Sequence, residues 1–216
     1  MARFTKEEIR RAMLLYAVTD RYWLKEGETL YEKTEEAIRG GATFVQLREK
    51  KAGKDEIISL GKGLKELCGR YKVPFILDDD IELTLLLDAD GVHVGQNDRP
   101  AAEVRKLIGP DRILGVSAHS VEEALRAEKD GADYLGVGAA FATGTKKDAS
   151  PLSHDTLQAI CEAVNIPVVA IGGITEENVS ELAGRGVSGV AVVSAIYGQD
   201  DVEAAAARMK KLVEKL

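Results

Sequence analysis

The sequence predicts an α/β fold, a single (β/α)8 TIM barrel over residues 1–216 with a helical extension before its first strand. Two observations carry this prediction. Short apolar runs alternate with amphipathic segments eight times along the 216 residues, and such alternation is typical of a parallel sheet covered by helices. Four junctions between a predicted helix and the next strand, at 39–42, 88–91, 130–133 and 184–187, also form a weak repeat in which a left-handed turn at glycine can end the helix.

The competing fold is an open Rossmann-like sheet. Its nearest signature is Gly136-Val137-Gly138, which no third glycine and helix start follow, and eight units in a chain of this length are typical of a closed barrel. We expect strands at 14–18, 43–47, 75–77, 91–94, 113–116, 134–137, 168–171 and 189–193. We expect helices at 30–39, 55–71, 81–87, 101–108, 121–129, 154–164, 176–183 and 202–216.

The composition narrows the class of function. Apolar residues make up 45% and charged residues 30% of the chain, as in ordinary globular proteins. A net charge of -7 without a basic arm argues against a nucleic-acid partner, and the apolar runs are too short to cross a bilayer. The charged amino terminus shows no signal peptide. We therefore expect a cytoplasmic protein with small-molecule partners, and a homo-oligomer is left open.

Polar residues follow nearly every predicted strand at its carboxyl end, where barrels of this kind hold their active sites. This coincidence on one rim indicates an enzyme. The clusters are Thr19-Asp20, Arg48-Glu49-Lys50, Asp78-Asp79-Asp80, Gly95-Gln96-Asn97-Asp98, Ser117-Ala118-His119, Thr143-Gly144-Thr145-Lys146-Lys147-Asp148, Gly172-Gly173-Ile174-Thr175 and Ser194-Ala195.

Three of these clusters suit an anion. The glycine, hydroxyls and lysines of 143–148 can wrap an anionic group. Gly172 and Gly173 can present bare backbone N–H groups, and Ser194 adds a donor. Thr175 is an expected N-cap for the helix beginning at Glu176, whose dipole favours an anion. The alternative for the two glycines is a tight turn with no further role.

The carboxylates that follow strands three and four indicate a cation. Asp78, Asp79 and Asp80 follow strand three and Asp98 lies just past strand four, and converging carboxylates repel unless a hard cation such as Mg²⁺ lies between them. One of the three successive aspartates is expected to cap the helix from Ile81 instead. Arg48 and Lys50 would bring positive charge to the same place, with Gln46 pointing into the barrel.

No protein nucleophile is evident. Cys68 and Cys161 lie in predicted helices, away from the rim, without the spacing of a metal or redox pair. His93 lies within a predicted strand, where a satisfied core histidine is commoner than a base. His119 is better placed after a strand, but no carboxylate partner for it is evident from the sequence. The pattern favours chemistry by phosphate and metal.

With these residues in view, the chain resembles the thiamine-phosphate synthase family. The motifs occur in family order over nearly the whole chain, from about Tyr16 to Ile196, and are specific as a set. They are Gln46-Leu47-Arg48-Glu49-Lys50, Asp79-Asp80, Gly91-Val92-His93-Val94-Gly95-Gln96-Asn97-Asp98, Gly115-Val116-Ser117-Ala118-His119, Thr143-Gly144-Thr145-Lys146-Lys147-Asp148, Ile171-Gly172-Gly173-Ile174 and Ser194-Ala195-Ile196.

The resemblance implies a Mg²⁺-dependent transferase that joins hydroxymethylpyrimidine diphosphate to thiazole phosphate and releases pyrophosphate. It implies that Asp79 and Asp98 hold Mg²⁺. The residues implied for the pyrimidine diphosphate are Gln46, Arg48, Glu49, Lys50, Asp78, Ser117 and Lys146, of which Arg48, Lys50, Ser117 and Lys146 would be catalytic. Those implied for the thiazole phosphate are Thr143, Gly144, Thr145, Gly173, Val193 and Ser194.

The chain departs from the family pattern at two places. Asp78 stands where the family usually has asparagine, and an ionised Asp78 would repel a diphosphate unless a cation compensates. The prolines that often precede the Thr-x-Thr loop are absent from Gly138-Ala139-Ala140-Phe141-Ala142-Thr143. Three other functions remain as alternatives: a metal-independent thiazole tautomerase, a non-catalytic binder of thiamine or thiazole phosphate, and aldolase- or isomerase-like sugar-phosphate chemistry.

Overall fold

The strands form a closed barrel in which all neighbouring pairs are parallel. A computed structural model describes residues 3–50, 52–142 and 152–216, and within them eight strands follow one another around the barrel in chain order. The barrel closes where β8 pairs with β1, with Ala191 opposite Tyr16. The predicted fold class is therefore confirmed.

The observed strand bounds differ from the predicted ones by at most two residues. The largest difference is at the fifth strand, which continues to Ala118 and so includes Ser117. The strands are β1 Leu15–Val18, β2 Phe44–Leu47, β3 Phe75–Asp78, β4 Gly91–Val94, β5 Ile113–Ala118, β6 Tyr134–Val137, β7 Val168–Ile171 and β8 Gly189–Val192.

Six of the nine described helices begin where a short polar side chain accepts a hydrogen bond from a free backbone N–H. The nine are α1 Lys6–Ala12, α2 Leu30–Arg39, α3 Lys54–Tyr71, α4 Ile81–Leu86, α5 Ala101–Ile108, α6 Val121–Lys129, α7 His154–Ala163, α8 Ser194–Tyr197 and α9 Val202–Val213. The side-chain N-caps are Thr5, Thr29, Asp80, Ser120, Ser153 and Asp201. None of the described helices is both long and apolar enough to cross a membrane.

The predicted helix 176–183 is wrong, and so is Thr175 as its N-cap. Only a 3-10 turn over Val179–Leu182 forms there. Beside this turn, Asn178 Oδ1 accepts a hydrogen bond from the Thr175 N–H at 2.9 Å, and its Nδ2 donates to the Gly173 carbonyl at 2.9 Å. The segment ends after the single 3-10 turn, so no α-helix dipole is available after Glu176.

Left-handed residues close several of the helix-to-strand turns, as the repeat predicts. Gly41, Gly131 and Gly184 have φ of 113°, 95° and 75°. In the second unit the left-handed residue is Asp88, with φ 51°. Asp tolerates this conformation better than most side chains do, so the turn is kept without glycine.

Two apolar layers hold the barrel together. One large cluster fills the space between the strands and the surrounding helices. A smaller cluster fills the barrel interior, and Ile9 and Met13 at α1 pack into it, so the helical extension covers this interior. Its other buried members are Tyr16, Val18, Phe44, Ile76, Ile113, Tyr134, Val169 and Ala191.

Candidate active site

A single cavity gathers most of the predicted site residues that the structure describes. It opens beside the carboxyl ends of the strands and receives side chains or backbone from all eight of them. Seven predicted site residues line it: Gln46, Arg48, Asp78, Ser117, Gly173, Val193 and Ser194. Thr143, Gly144, Thr145 and Lys146 lie outside the described residues, as does the rest of the 143–148 motif.

Arg48 and Asp78 line one side of the cavity, and Lys50 and Asp79 lie next to them at the ends of β2 and β3; we call these four residues the charged side. Lys50 Nζ lies 2.8 Å from Asp78 Oδ2 and also donates to Asp79 Oδ2. Arg48 Nε lies 3.6 Å from Asp78 Oδ2. Partial burial works to lower the pKa of Lys50, but its hydrogen bonds to Asp78 and Asp79 outweigh this, and the pKa is raised. Lys50 is therefore a permanent cation at this rim.

These contacts give Asp78 a compensation that the sequence did not indicate. From the sequence, the negative charge of Asp78 is expected to repel a diphosphate unless a metal compensates. In the structure, Arg48 and Lys50 both face Asp78 Oδ2. The carboxylate is thus neutralised by two side chains of the same rim, at the cost of occupying the cations that an anionic substrate needs.

Asp79 and Asp98 have the oxygen donors that Mg²⁺ prefers. Asp79 has a left-handed backbone, φ 55°, and its N–H donates to the His93 carbonyl at 2.8 Å. Asp98 Oδ2 accepts from the Gly95 N–H at 2.7 Å. The described residues contain no cluster of three acidic, histidine or cysteine ligands. The structure places Asp98 in a separate pocket with Gly95, Gln96 and Arg99, and not in the cavity that Asp78 lines. Because Mg²⁺ usually takes one or two carboxylates and completes its shell with water and phosphate, each aspartate offers a donor that suits this ion.

The structure does not bring Glu49 to the cavity. Its side chain points away from the barrel interior, because it lies between the inward residues Arg48 and Lys50, and it is only 2% exposed. Glu49 Oε2 accepts from Arg21 Nε at 2.5 Å, and burial raises the Glu49 pKa more than Arg21 lowers it. The implied contact with a diphosphate is therefore corrected: Glu49 anchors Arg21 below the rim.

The opposite side of the cavity, which we call the glycine side, consists of Gly138, Gly172, Gly173, Val193 and Ser194 after β6, β7 and β8. Gly172 and Gly173 have φ of 98° and 66°. A Cβ at Gly173 would clash with the Ala142 carbonyl oxygen and lie 2.8 Å from that of Phe141. The backbone here is packed too closely to admit a side chain, so this wall offers mainly main-chain groups.

Five polar side chains, four of which line the cavity, form a hydrogen-bonded chain across the barrel, here called the interior chain. Gln46 Nε2 donates to the Tyr16 hydroxyl at 2.6 Å, and the Tyr16 and Tyr134 hydroxyls lie 2.8 Å apart. His93 Nδ1 lies 2.9 Å from the Tyr134 hydroxyl, and its Nε2 lies 2.9 Å from Ser117 Oγ. Tyr16 and Tyr134 were not predicted as site residues. The signal in the sequence that could have indicated them is a tyrosine at an inward strand position.

The structure also shows the surroundings of the remaining candidate acids, bases and nucleophiles. The expectation that His119 lacks a carboxylate partner is wrong, since its Nδ1 lies 3.2 Å from Glu123 Oε2, and His119 lines the cavity. Glu123 follows by four residues, which is the spacing of one helical turn. Burial raises the pKa of Cys68 to about 12 and that of Cys161 to about 11. Neither thiol is a nucleophile at neutral pH.

The fold and this cavity define a (β/α)8-barrel enzyme with its site at the carboxyl ends of the strands. The chain belongs to the thiamine monophosphate synthase family, whose model matches residues 15–196. It is 52% identical over 191 residues to a thiamine-phosphate synthase of Clostridium tetani, covering 88% of this chain and 91% of that protein.

Two further relatives agree with this. A thiamine-phosphate synthase of Ruminiclostridium cellulolyticum is 51% identical over 198 residues, covering 92% of this chain and 94% of the relative. Among solved structures, thiamine phosphate pyrophosphorylase from Pyrococcus furiosus superposes with a TM-score of 0.87 at 43% identity and covers 95% of this chain and 98% of that one. The family resemblance stated from the sequence is confirmed.

Proposed function

We propose that this chain is a transferase that condenses hydroxymethylpyrimidine diphosphate with thiazole phosphate, forming thiamine phosphate and pyrophosphate. The observation that carries the proposal is the pairing of two unlike walls in one cavity. The charged side suits a diphosphate, and the glycine side suits a monophosphate. Family membership supplies the substrates, because the relatives named above are thiamine-phosphate synthases.

The pyrimidine diphosphate would lie on the charged side. Arg48, Lys50 and the Ser117 hydroxyl would donate to its phosphate oxygens, and Gln46, only 5% exposed at the cavity floor, would contact the ring. Lys50 has to exchange Asp78 for phosphate as the substrate enters. This exchange is feasible because Lys50 is 45% exposed and bonded to two carboxylates rather than buried among apolar groups. Lys146 joins this set on the basis of the family resemblance alone.

The thiazole phosphate would lie on the glycine side. Gly173 would donate its backbone N–H, Ser194 its hydroxyl, and Val193 would pack against the thiazole ring. Thr143, Gly144 and Thr145 would contribute to binding this phosphate, again from the resemblance alone. A wall of backbone groups holds a phosphate with little reorganisation, because its donors are fixed before binding.

Asp79 and Asp98 would hold Mg²⁺ beside the diphosphate. The ion supplies positive charge that stabilises the leaving pyrophosphate. In this structure Lys50 is the counter-charge of Asp79. The same aspartate therefore has a partner both before and after the substrate enters.

The reaction needs positioning and electrostatics rather than a protein nucleophile. The bond between the pyrimidine methylene carbon and the diphosphate oxygen breaks, and its electron pair leaves with pyrophosphate. The aminopyrimidine ring delocalises the resulting cation, and the thiazole nitrogen then donates its lone pair to the methylene carbon. Arg48, Lys50 and Ser117 stabilise the departing charge. The high pKa values of both thiols agree with the absence of a covalent enzyme intermediate.

A second candidate function rests on His119. With Glu123 3.2 Å from its Nδ1 and a place on the cavity wall, His119 has the arrangement of an acid-base residue. Such a residue suits a thiazole tautomerase, which shifts a proton without a metal. The charged side has no part in that chemistry, and this makes the tautomerase the weaker proposal.

The test is pyrophosphate release from both substrates, first with Mg²⁺, then with EDTA, then with Mg²⁺ restored in excess over EDTA. We expect release that needs both substrates and returns with the metal. Turnover of thiazole carboxylate phosphate in EDTA, without pyrophosphate release from the first pair, would establish the tautomerase. Binding of thiazole phosphate with neither activity would leave a binder.

A further inference from the structure

The interior chain has a direction, and this direction bears on what Ser117 can do. The five groups run from Gln46 to Ser117 through Tyr16, Tyr134 and His93, with each consecutive pair 2.6–2.9 Å apart. Gln46, Tyr16 and Tyr134 are 5%, 2% and 0% exposed. In such buried chains each hydroxyl has one proton to give, so fixing one bond fixes the sense of the next.

Gln46 sets the sense at one end. Its Nε2 can only donate, so the Tyr16 oxygen accepts that bond and gives its own proton to the Tyr134 oxygen. Both tyrosines keep their protons, since burial is the main cause of a pKa raised above the ordinary value in each. Tyr134 therefore accepts from Tyr16 and has one proton left to donate.

His93 Nδ1 lies 2.9 Å from the Tyr134 hydroxyl. If it accepts that proton, Nδ1 carries none of its own and the proton of a neutral ring lies on Nε2. Nε2–H then donates to Ser117 Oγ at 2.9 Å. A proton on Nδ1 instead would leave the buried Tyr134 hydroxyl proton without this acceptor, which is costly.

We propose that the interior chain locks His93 as the neutral Nε2–H tautomer and thereby makes Ser117 a hydrogen-bond donor toward the cavity. Tyr16, Tyr134 and His93 are positioning residues, and Ser117 is the group that meets the ligand. This inference rests on the proposed function for the ligand's identity, the pyrimidine diphosphate. Because Oγ already accepts from His93, its own proton is available to a phosphate oxygen, which can only accept.

The strands make room for this arrangement with glycine. His93 on β4 stands opposite Gly115 on β5, which stands opposite Tyr134 on β6. A Cβ at Gly115 would clash with the Tyr134 hydroxyl and lie 2.5 Å from His93 Nδ1. Since φ at Gly115 is not in the left-handed region, glycine is needed there for space, namely for the Tyr134–His93 bond.

The first test is the tautomer itself, read by long-range ¹H–¹⁵N correlation on the full chain labelled at histidine, at neutral pH. The chain has three histidines, and His119→Gln and His154→Gln assign the other two. We expect the His93 spectrum of a neutral ring with Nε2 protonated. A neutral ring with Nδ1 protonated, or a charged ring, overturns the inference.

The second test distinguishes the hydrogen bonds of the interior chain from the packing of the tyrosine ring. Tyr134→Phe keeps the ring and removes the hydroxyl, and should change the tautomer spectrum of His93. Tyr197→Phe is the matched control, because Tyr197 is also buried and its hydroxyl bonds Thr34 at 3.2 Å outside the interior chain. It should leave the spectrum as in the unsubstituted protein. An unchanged spectrum in Tyr134→Phe overturns the inference.

Kinetics then test the consequence for Ser117. In Tyr134→Phe the KM for the pyrimidine diphosphate should rise about five- to tenfold, the loss of one well-placed hydrogen bond. In the same variant the KM for thiazole phosphate should stay within about twofold of that of the unsubstituted protein, and so should the KM values of Tyr197→Phe for both substrates. Equal changes in the two KM values overturn the role assigned to Ser117. If the unsubstituted protein releases no pyrophosphate, the proposed function fails, and the tautomer spectra still decide this inference.

Discussion

The two walls of the cavity hold anions by opposite means. The charged side uses long side chains that bond one another before any ligand arrives, with Lys50 shared between Asp78 and Asp79. The glycine side uses backbone at Gly172 and Gly173, where positive φ and close contacts exclude a side chain. Binding on the first wall means exchanging partners, whereas binding on the second means filling a site that is already formed.

This difference predicts which kinds of substitution impair binding at each wall. The charged side should respond to the removal of a cation or of a metal-binding carboxylate and tolerate changes of shape, because its side chains rearrange. The glycine side should respond to the addition of a single methyl group and tolerate little else, because close-packed backbone has no room to move. The four predictions below test this contrast, from the largest expected effect to the smallest.

The largest effect is expected at Asp79. Asp79→Asn removes one charge and keeps a side chain that tolerates the left-handed backbone, φ 55°. We expect pyrophosphate release to fall about 100-fold or more, since a metal ligand is lost, while calorimetric binding of thiazole phosphate stays intact. Asp88→Asn, at the other left-handed aspartate (φ 51°), is the control and should cost stability but not turnover. Full activity in Asp79→Asn would refute the metal assignment.

The next effect is expected at Gly173. Gly173→Ala adds a methyl group that clashes with the Ala142 carbonyl on a backbone with φ 66°. Strain of this kind costs about 1–3 kcal/mol, so we expect the KM for thiazole phosphate to rise about tenfold or more, with little change for the pyrimidine diphosphate. Gly184→Ala has a similar φ, 75°, but nothing within 4 Å, and it controls for strain alone. An unchanged KM in Gly173→Ala would mean that this wall is not rigid.

The same contrast explains what the sequence predicted well. Each strand is a short apolar run that can be recognised from neighbouring residues, so its bounds were predicted within two residues. The residues at the carboxyl ends of these strands include Gln46, Arg48, Asp78 and Ser117, which line the cavity. Asp80 was expected as one possible helix cap and is the observed cap of α4, accepting from the Leu83 N–H at 2.8 Å. Each of these features depends on neighbours close in the chain.

What the sequence did not predict depends on contacts between distant segments or on one side chain overriding a pattern. The interior chain joins β1, β2, β4, β5 and β6, and no local spacing reveals it. The segment 176–183 forms only a 3-10 turn, where the side chain of Asn178 bonds back to Thr175 and Gly173. Glu49 looked like one more rim charge, but strand alternation buries it against Arg21. Its neighbours Arg48 and Lys50 take the opposite orientation.

A moderate effect is expected at Ser194, the one hydroxyl that the described glycine side offers to the cavity. Ser194→Ala removes a donor and adds no atoms, so the KM for thiazole phosphate should rise about threefold to tenfold, the loss of one hydrogen bond to a charged group. Ser59→Ala, on the exposed surface of α3, should leave both KM values unchanged. A rise only in the KM for the pyrimidine diphosphate would mean that Ser194 contacts that substrate and not the thiazole phosphate.

The smallest effect is expected at Asp78, and its sign distinguishes the two walls. Asp78→Asn removes the carboxylate that faces Arg48 at 3.6 Å and Lys50 at 2.8 Å, which frees both cations for the diphosphate. Partly exposed ion pairs contribute little to stability, so we expect turnover within about twofold of the unsubstituted protein or above it, and a lower KM for the pyrimidine diphosphate. Steady-state kinetics at fixed Mg²⁺ would measure both. A large loss of turnover would mean that Asp78 does more than occupy Lys50, and that this wall, like the opposite one, depends on a fixed arrangement.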